Sequence, residues 1–424
     1  MTVLAILVAL FILLLLGVPV AFSLGMLGMA MLYLGGFSLL MAPQALLSTM
    51  DGFILLAVPL FLLMSNILLK GGVGRDLFSA VQAWVGHWPG GLAVATILSC
   101  GIFAAISGSS VATAATIGTV AAPEMISRGY EKRFVYGLLA AGGTLGILIP
   151  PSIPLIIYGF ITEESVTALF MAGVGPGLVL IAGFVAYSVI SAKFLQKYEP
   201  LPAASWPERM RATVRATPAL LLAAVILGGI YSGAFTPTEA AAIGFAVALI
   251  ITGVVLRSLS WAKLWEAMVE AMSTTVAILL IIAGAKIFGK AITLYRIPQD
   301  ISVLISTHIA TPLGLIVIVS VVLLLMGLVF EALSMVLIMT PVLLPAAMHM
   351  GFDPVWFGIY MVIMVECALI TPPVGLNLYV IQAVTRSTLG EVSKGVLPFL
   401  LIMLALVGVL YAIPELALYI PFKL

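Results

Sequence analysis

"LGILIPPSIPLIIYG", residues 145–159, is the stretch that decides the fold. Pro150 and Pro151 are adjacent inside an apolar run, and Pro154 follows shortly after them. Each proline removes a backbone donor and obstructs a helix, and lipid offers no partner for the carbonyls set free. Irregular backbone is tolerated at membrane depth where it is buried in protein or lines a cavity. The stretch therefore predicts a discontinuous helix beside such a cavity.

The composition is that of an all-α, polytopic membrane protein. Of its 424 residues, 63% are hydrophobic and 8% are charged, and the mean hydropathy is +1.28; soluble domains carry about 25% charged residues. The net charge of +1 leaves no basic patch for a nucleic acid. Cys100 and Cys367 form no CxxC motif and indicate neither a disulfide nor a metal site. No Lys or Arg precedes Lys70, so we expect the first apolar stretch to be retained as membrane helix.

A second break, "ECALITPPVGLN" (366–377), indicates an internal repeat. At an offset of 222 residues four pairs are identical: Pro123 and Pro345, Gly129 and Gly351, Pro150 and Pro372, Pro151 and Pro373. All four are Gly or Pro, the residues that shape the backbone most strongly.

The distribution of charges predicts how the two copies are related. Lys and Arg collect in cytoplasmic loops, and most of them fall inside if the polar segment 193–217 is cytoplasmic. This threading requires 92–127 to enter and leave on the cytoplasmic side and 313–350 to do so on the outer side. Two re-entrant hairpins and inverted repeats result, an arrangement common in secondary transporters. The predicted divisions are a first repeat at 1–192 with a broken helix at 134–161, a loop at 193–217, a second repeat at 218–413 with a broken helix at 355–384, and a tail at 414–424.

We expect each break to face the tip of its own repeat's hairpin. The predicted tips are "AISGSSVATAAT" (105–116) and "GLVFEALSMVLIMT" (327–340). The first is dense in hydroxyl groups, which together with freed carbonyls suit a small alkali cation such as sodium. Helix N-termini that point into the same cavity suit an anionic substrate. The alternative is that the hydroxyls serve helix packing and that the prolines only kink a helix.

Polar residues around the second break are candidates of a different kind. Glu331 lies at the second tip and Glu366 just before the break, and acids within membranes usually mark ion or proton pathways. The second tip has few hydroxyls, so a cation there would depend on backbone carbonyls and Thr371. Asn377 could contact substrate or cap freed backbone.

Four stretches together resemble the large membrane subunit of tripartite ATP-independent periplasmic (TRAP) transporters: "SGSSVATAATIGTVAAPEM", "GGTLGILIPPSIPLIIYG", "FTPTEAAAIG" and "ITPPVGLNLYVIQAV". The resemblance runs from about residue 2 to residue 412. It implies a bacterial inner-membrane importer, not an enzyme, with a scaffold and a transport domain that moves as an elevator. It further implies a separate small four-helix membrane subunit, a periplasmic binding protein that delivers an organic acid such as sialic acid or a C4-dicarboxylate, and sodium as coupling ion without another cofactor.

The resemblance also implies roles for individual positions. The first sodium site would use Ser107, Ser109, Ser110, Thr144 and Gly146. The second would use Glu331, Ala332, Ser334, Ile370 and Thr371. The substrate would lie among Ser109, Pro150, Pro151, Ser152, Thr371, Pro372 and Asn377. The competing hypothesis is a proton-coupled or self-sufficient anion carrier, or a sodium/proton antiporter, with Glu331 and Glu366 as proton carriers.

Overall fold

Helices form every regular element in the computed structural model, which describes residues 3–194, 198–308 and 311–423. Ten helices precede the polar segment: α1 (Val3–Leu15), α2 (Val20–Leu34), α3 (Met41–Met50), α4 (Ala57–Lys70), α5 (Val73–Val85), α6 (Gly91–Ser107), α7 (Ser110–Ser127), α8 (Lys132–Leu148), α9 (Ile153–Thr162) and α10 (Val166–Phe194). Ten more follow it: α11 (Trp206–Tyr231), α12 (Pro237–Ile250), α13 (Trp261–Leu294), α14 (Ile297–His308), α15 (Pro312–Met326), α16 (Ala332–His349), α17 (Pro354–Ile370), α18 (Leu376–Thr385), α19 (Leu389–Ala412) and α20 (Glu415–Lys423). A 3₁₀ turn (Phe53–Leu56) precedes α4, and a π turn (Ile251–Val255) extends α12.

The length and composition of these helices define a multi-pass membrane protein. Within the described ranges, seven helical segments have at least 18 residues and are apolar enough to cross a membrane, if α4 is counted with its 3₁₀ turn and α12 with its π turn. An eighth span results if α8 and α9, which are bent by 40° at their break, count as one. The helices α6, α15 and α17 are apolar but shorter, as expected of elements that pair within hairpins or end at a break. The side from which each hairpin enters stays a prediction.

The boundaries of the helices follow the internal repeat. At the offset of 222 residues, α7 maps onto α16 and α8 onto α17 without a shift at either end. The second break is one residue longer than the first, so α9 maps onto α18 at an offset of 223. Gly129 and Gly351 have φ values of 85° and 86°, a left-handed conformation that only glycine adopts without cost after a helix. The Pro150–Pro151 and Pro372–Pro373 bonds are both cis.

Packing between the repeats is reciprocal. The helix α7 packs against α18 of the other repeat, and its counterpart α16 packs against α9. Such an exchange is what a two-fold relation between two copies produces. We call α6–α9 and α15–α18 the hairpin group.

A second set of helices, α2, α4, α12 and α13, packs together beside the hairpin group, and we call it the frame. Contact between α2 and α13 is backbone to backbone, since a Cβ atom at Gly28 would lie 2.8 Å from the Phe288 nitrogen. Lys70 on α4 donates to Glu266 at 3.2 Å and to Glu270 at 2.8 Å on α13. The cavity described below lies where the frame meets the hairpin group.

The polar segment differs from the predicted loop at 193–217. Its second half is helical, since α11 begins at Trp206. The reason is local: the Ser205 backbone N–H donates to the Glu208 carboxylate at 2.7 Å, a bond that stabilises a helix start, and Pro207 stands in the first turn. Residues 195–197 of the predicted loop lie outside the described residues.

Helix also forms at the end of the chain and after the π turn. The predicted tail at 414–424 contains α20, whose Leu416 carbonyl touches Gly175 so closely that a side chain there would collide with it. After the π turn, α13 runs without a break for 34 residues.

Candidate functional site

The first hairpin turns at a cluster of oxygen atoms. Gly108, with φ of 62°, ends α6, and Ser109 caps α7 by accepting the Ala112 N–H at 3.3 Å. The Thr113 hydroxyl donates to the Ser109 carbonyl at 2.9 Å and lies 2.8 Å from the Ser107 hydroxyl. Two hydroxyls and one carbonyl thus meet at the predicted first tip.

The first break lies directly against this tip. A Cβ atom at Gly146 would lie 2.5 Å from the Ser109 carbonyl oxygen and 2.7 Å from the Thr113 hydroxyl. A Cβ atom at Gly108 would in turn lie 2.7 Å from the Pro151 carbonyl oxygen. The glycines therefore let two backbones approach closely, and the break at Pro150 and Pro151 is buried in protein.

The other two residues predicted for the first sodium site flank this contact. Thr144 is fully buried, and its hydroxyl donates to the Ala141 carbonyl of its own helix at 2.6 Å. Ser110 is the first residue of α7, and its carbonyl oxygen lies 3.1 Å from where a Cβ atom at Gly143 would stand. The structure thus brings Ser107, Ser109, Ser110 and Gly146 together.

The second tip has the same backbone arrangement as the first, but different side chains. Glu331 caps α16 at the repeat position of Ser109, and it accepts a hydrogen bond from the Ser334 hydroxyl at 3.3 Å. Gly327 lies in close contact with Ala368, the repeat counterpart of Gly146. Ile370 ends α17, and the Thr371 hydroxyl donates to the Cys367 carbonyl at 2.7 Å. An acid therefore replaces a hydroxyl at the second tip.

A cavity of about 430 Å³ lies between the two tips and the frame. The first residues of four helices line it: Ser110 of α7, Ile153 of α9, Ala332 of α16 and Leu376 of α18. Each helix N-terminus carries partial positive charge and free N–H groups. Four of them at one cavity provide the charge and the donors that suit an anion. We call this space the tip cavity.

Only one of the residues predicted to bind substrate lines the tip cavity, namely Ser109. Pro150, Pro151, Ser152, Thr371, Pro372 and Asn377 do not. The Ser152 side chain caps α9 by accepting the Leu155 N–H at 3.4 Å. Asn377 is fully buried, and neither atom of its amide has a hydrogen-bond partner among the described residues.

The frame contributes polar residues that sequence reasoning missed. Ser65 and Asn66 of α4 and Thr274 of α13 line the tip cavity. The Asn66 amide donates to the Ala267 carbonyl of α13 at 3.5 Å. A signal existed, because Asn66 is a lone amide inside an apolar helix, and such residues tend to face a cavity or a functional site.

The two acids singled out by sequence occupy different places. Glu331 is exposed and lines the tip cavity, where none of the described lining residues is Lys or Arg. Glu366 is buried at the repeat position of Thr144, and neither carboxylate oxygen has a hydrogen-bond partner in the described structure. The tip cavity therefore contains one acidic side chain and four helix N-termini.

The fold and the cavity define a multi-pass membrane protein with two broken helices around a central site. Residues 7–416 match the model of the DctM component of the tripartite ATP-independent periplasmic transporters. The chain belongs to this family of transporter permeases, which are not enzymes.

Individual relatives match over most of both chains. A C4-dicarboxylate TRAP transporter large permease protein from Pseudomonas aeruginosa is 42% identical over 89% of this chain and 88% of its own. A sialic acid TRAP transporter large permease protein from Vibrio cholerae is 34% identical over 96% of this chain and 95% of its own. The crystal structure of the YdaH transporter of Alcanivorax borkumensis superposes with a TM-score of 0.64 at 15% identity, covering 89% and 88% of the two chains. That last likeness concerns the fold alone.

Proposed function

We propose that this chain imports a small organic acid across the bacterial inner membrane, driven by a sodium gradient. The observation that carries the proposal is the meeting of four helix N-termini at the tip cavity, which favours a bound anion. A C4-dicarboxylate is the first candidate, since the relative with 42% identity is named for it, and sialic acid is the second. The cavity volume of about 430 Å³ suits molecules of this size.

Charge balance supports coupling to a cation. An anionic substrate would share the tip cavity with the Glu331 carboxylate, and no described Lys or Arg lines it. Two like charges that share one cavity repel each other, so a cation bound with the substrate stabilises the loaded state. The hydroxyl and carbonyl oxygens of Ser107, Ser109 and Thr113 are neutral ligands suited to sodium.

The proposed ligands are those that the family resemblance implies. The first sodium would be held by oxygens of Ser107, Ser109 and Ser110 with the backbone from Thr144 to Gly146. The second would be held around Glu331, Ala332 and Ser334 with the backbone of Ile370 and the hydroxyl of Thr371. The substrate would contact Ser109, with the break residues Pro150 to Ser152, Thr371, Pro372 and Asn377 behind it. The sodium ions supply positive charge when bound; the protein supplies oxygens at fixed positions.

Movement of the hairpin group against the frame would carry the site across the membrane. Most predicted ligands belong to the hairpin group, whereas the frame contributes only one wall of the tip cavity through α4 and α13. Because the frame holds few of the predicted ligands, the hairpin group can slide along it and take its bound ligands with it. This is an elevator mechanism of alternating access.

Two further proteins complete the proposed transporter. A small four-helix membrane subunit would join this chain in the bilayer, and a periplasmic binding protein would deliver the acid. This part of the proposal is supported by the family to which the chain belongs, because a tripartite transporter has three components.

Uptake by proteoliposomes tests the proposal. The vesicles would contain this chain with its small subunit, and the binding protein would be added with radiolabelled succinate, malate or sialic acid. We expect uptake under an inward sodium gradient, and little uptake when potassium replaces sodium or when the binding protein is omitted. The proposal would be refuted if all three acids were taken up equally well without sodium and without the binding protein.

A proton-coupled carrier is the second candidate, favoured by one observation. Glu366 is buried without a hydrogen-bond partner among the described residues, as expected of a group that binds a proton. The same vesicles distinguish the two candidates: an inward proton gradient without sodium drives uptake by a proton-coupled carrier and not by a sodium-coupled one.

A further inference from the structure

A second cavity, of about 600 Å³, lies along α13 and is separate from the tip cavity. Lys286 and Lys290 of α13 line it, together with residues of α3. Residues of α9 and α16 line it from the hairpin group. Lys286 stands eight residues beyond Ile278, which lines the tip cavity. Eight residues of helix rise by about 12 Å, so the two cavities lie one after the other along the axis of α13. We call the second one the lysine cavity.

Neither lysine of the lysine cavity is in an ion pair in the described part of the chain. They stand one turn apart on the same helix face, where like charges repel. Glu163 interacts with Lys286 electrostatically, but not as an ion pair within 4 Å. The Lys286 ammonium lies 4.5 Å from the centre of the Phe160 ring. Lys70, on the frame helix α4, is by contrast paired with both Glu266 and Glu270.

The rest of the wall suits a small anion. Gln44 places an amide in the lysine cavity, among apolar neighbours such as Leu337. The Ser48 and Thr293 hydroxyls also line it, but they donate to the Ala45 and Gly289 carbonyls of their own helices. An amide donor beside two ammonium groups binds carboxylate or phosphate oxygens well. An anion there would also relieve the repulsion between the lysines.

We propose that the lysine cavity is an anion-binding vestibule in which Lys286 and Lys290 hold a carboxylate or phosphate group. The assignment of a substrate acid to it rests on the proposed function and on the predicted threading: with 193–217 cytoplasmic and with α11, α12 and α13 each crossing the membrane, this end of α13 lies on the outer side, where the acid arrives. A phospholipid headgroup offers the same oxyanion chemistry, and the experiment below distinguishes the two sources.

A reporter cysteine measures the anion preference without transport. Thr293 lines the lysine cavity, and Cys100 and Cys367 are both buried, so Thr293→Cys gives a defined reactive thiol. The chain with its small subunit would be placed in phosphatidylcholine nanodiscs and treated with a negatively and a positively charged methanethiosulfonate. We expect the preference for the negative reagent to fall about tenfold when Lys286→Gln and Lys290→Gln are added. The matched pair Lys286→Arg and Lys290→Arg should retain it.

Protection then identifies the occupant. Succinate that slows labelling in phosphatidylcholine nanodiscs indicates a free organic acid. Slow labelling in phosphatidylglycerol nanodiscs without succinate indicates a lipid headgroup. The proposal is overturned if the glutamine pair leaves the reagent preference unchanged, or if neither anion protects. Ser48→Cys, on α3, is a second reporter should Thr293→Cys fail to fold. Because labelling needs no uptake, failure of sodium-driven transport would leave this result standing.

Discussion

Gly146 and the Ser109 carbonyl oxygen stand so close that a methyl group on Gly146 would lie 2.5 Å from that oxygen. This contact joins the broken helix α8 to the first hairpin tip. It brings together the backbone and hydroxyl oxygens around which the proposed sodium site is built.

Gly146→Ala should abolish sodium-driven uptake and lower thermal stability. The added methyl must displace the Ser109 carbonyl or the Thr113 hydroxyl, and overpacking of this kind costs about 1–3 kcal/mol. Gly408→Ala is the control, since a Cβ atom at Gly408 meets nothing within 4 Å. Thermal unfolding in detergent and uptake by proteoliposomes would both be measured. Full uptake by Gly146→Ala would show that the tip contact is not needed.

Ser107→Ala should raise the sodium concentration needed for half-maximal uptake. The change removes a hydroxyl 2.8 Å from Thr113, and the loss of one buried hydrogen-bonding group costs about 1 kcal/mol, or several-fold in affinity. Ser127→Ala is the matched control, because Ser127 is exposed and donates only to the Glu124 carbonyl of its own helix. An unchanged sodium dependence of uptake in Ser107→Ala would argue that this hydroxyl serves packing.

Glu331→Gln and Glu366→Gln should give different results if sodium is the coupling ion. Glu331 lines the tip cavity, so its neutralisation should weaken sodium dependence. Glu366 lies away from the cavity lining, and its isosteric replacement should leave sodium-driven uptake largely intact. Loss of all transport in both variants, with proton-driven uptake in the unaltered chain, is the pattern of a proton carrier.

Asn66→Ala should raise KM for the transported acid more than it lowers kcat. Asn66 belongs to the frame wall of the tip cavity and contacts α13, so it can affect binding without belonging to either tip. Gln82→Ala, on α5, is the control for loss of an amide elsewhere. Initial uptake rates across a range of acid concentrations separate KM from kcat. A fall in kcat alone would mean that Asn66 acts on the movement of the hairpin group against the frame.

Much of the fold could be predicted from the sequence because its signals are local. Two proline pairs define the breaks, since a proline obstructs a helix wherever it stands. The offset between them predicted the repeat, and α7 and α16 begin and end at corresponding residues. Polarity was a poorer guide to the segment at 206–217, where a helix cap outweighs a run of charges.

The sequence by itself determined a polytopic membrane protein with two broken helices, two hairpin tips and a hydroxyl cluster at the first tip. Only the tertiary structure decided that four helix N-termini meet at one cavity, that Ser65, Asn66 and Thr274 complete its wall, and that Lys286 and Lys290 face a second one. The physical reason is distance along the chain. Asn66 and Ala267, which share a hydrogen bond, are 201 positions apart, and no local propensity of either residue encodes that contact.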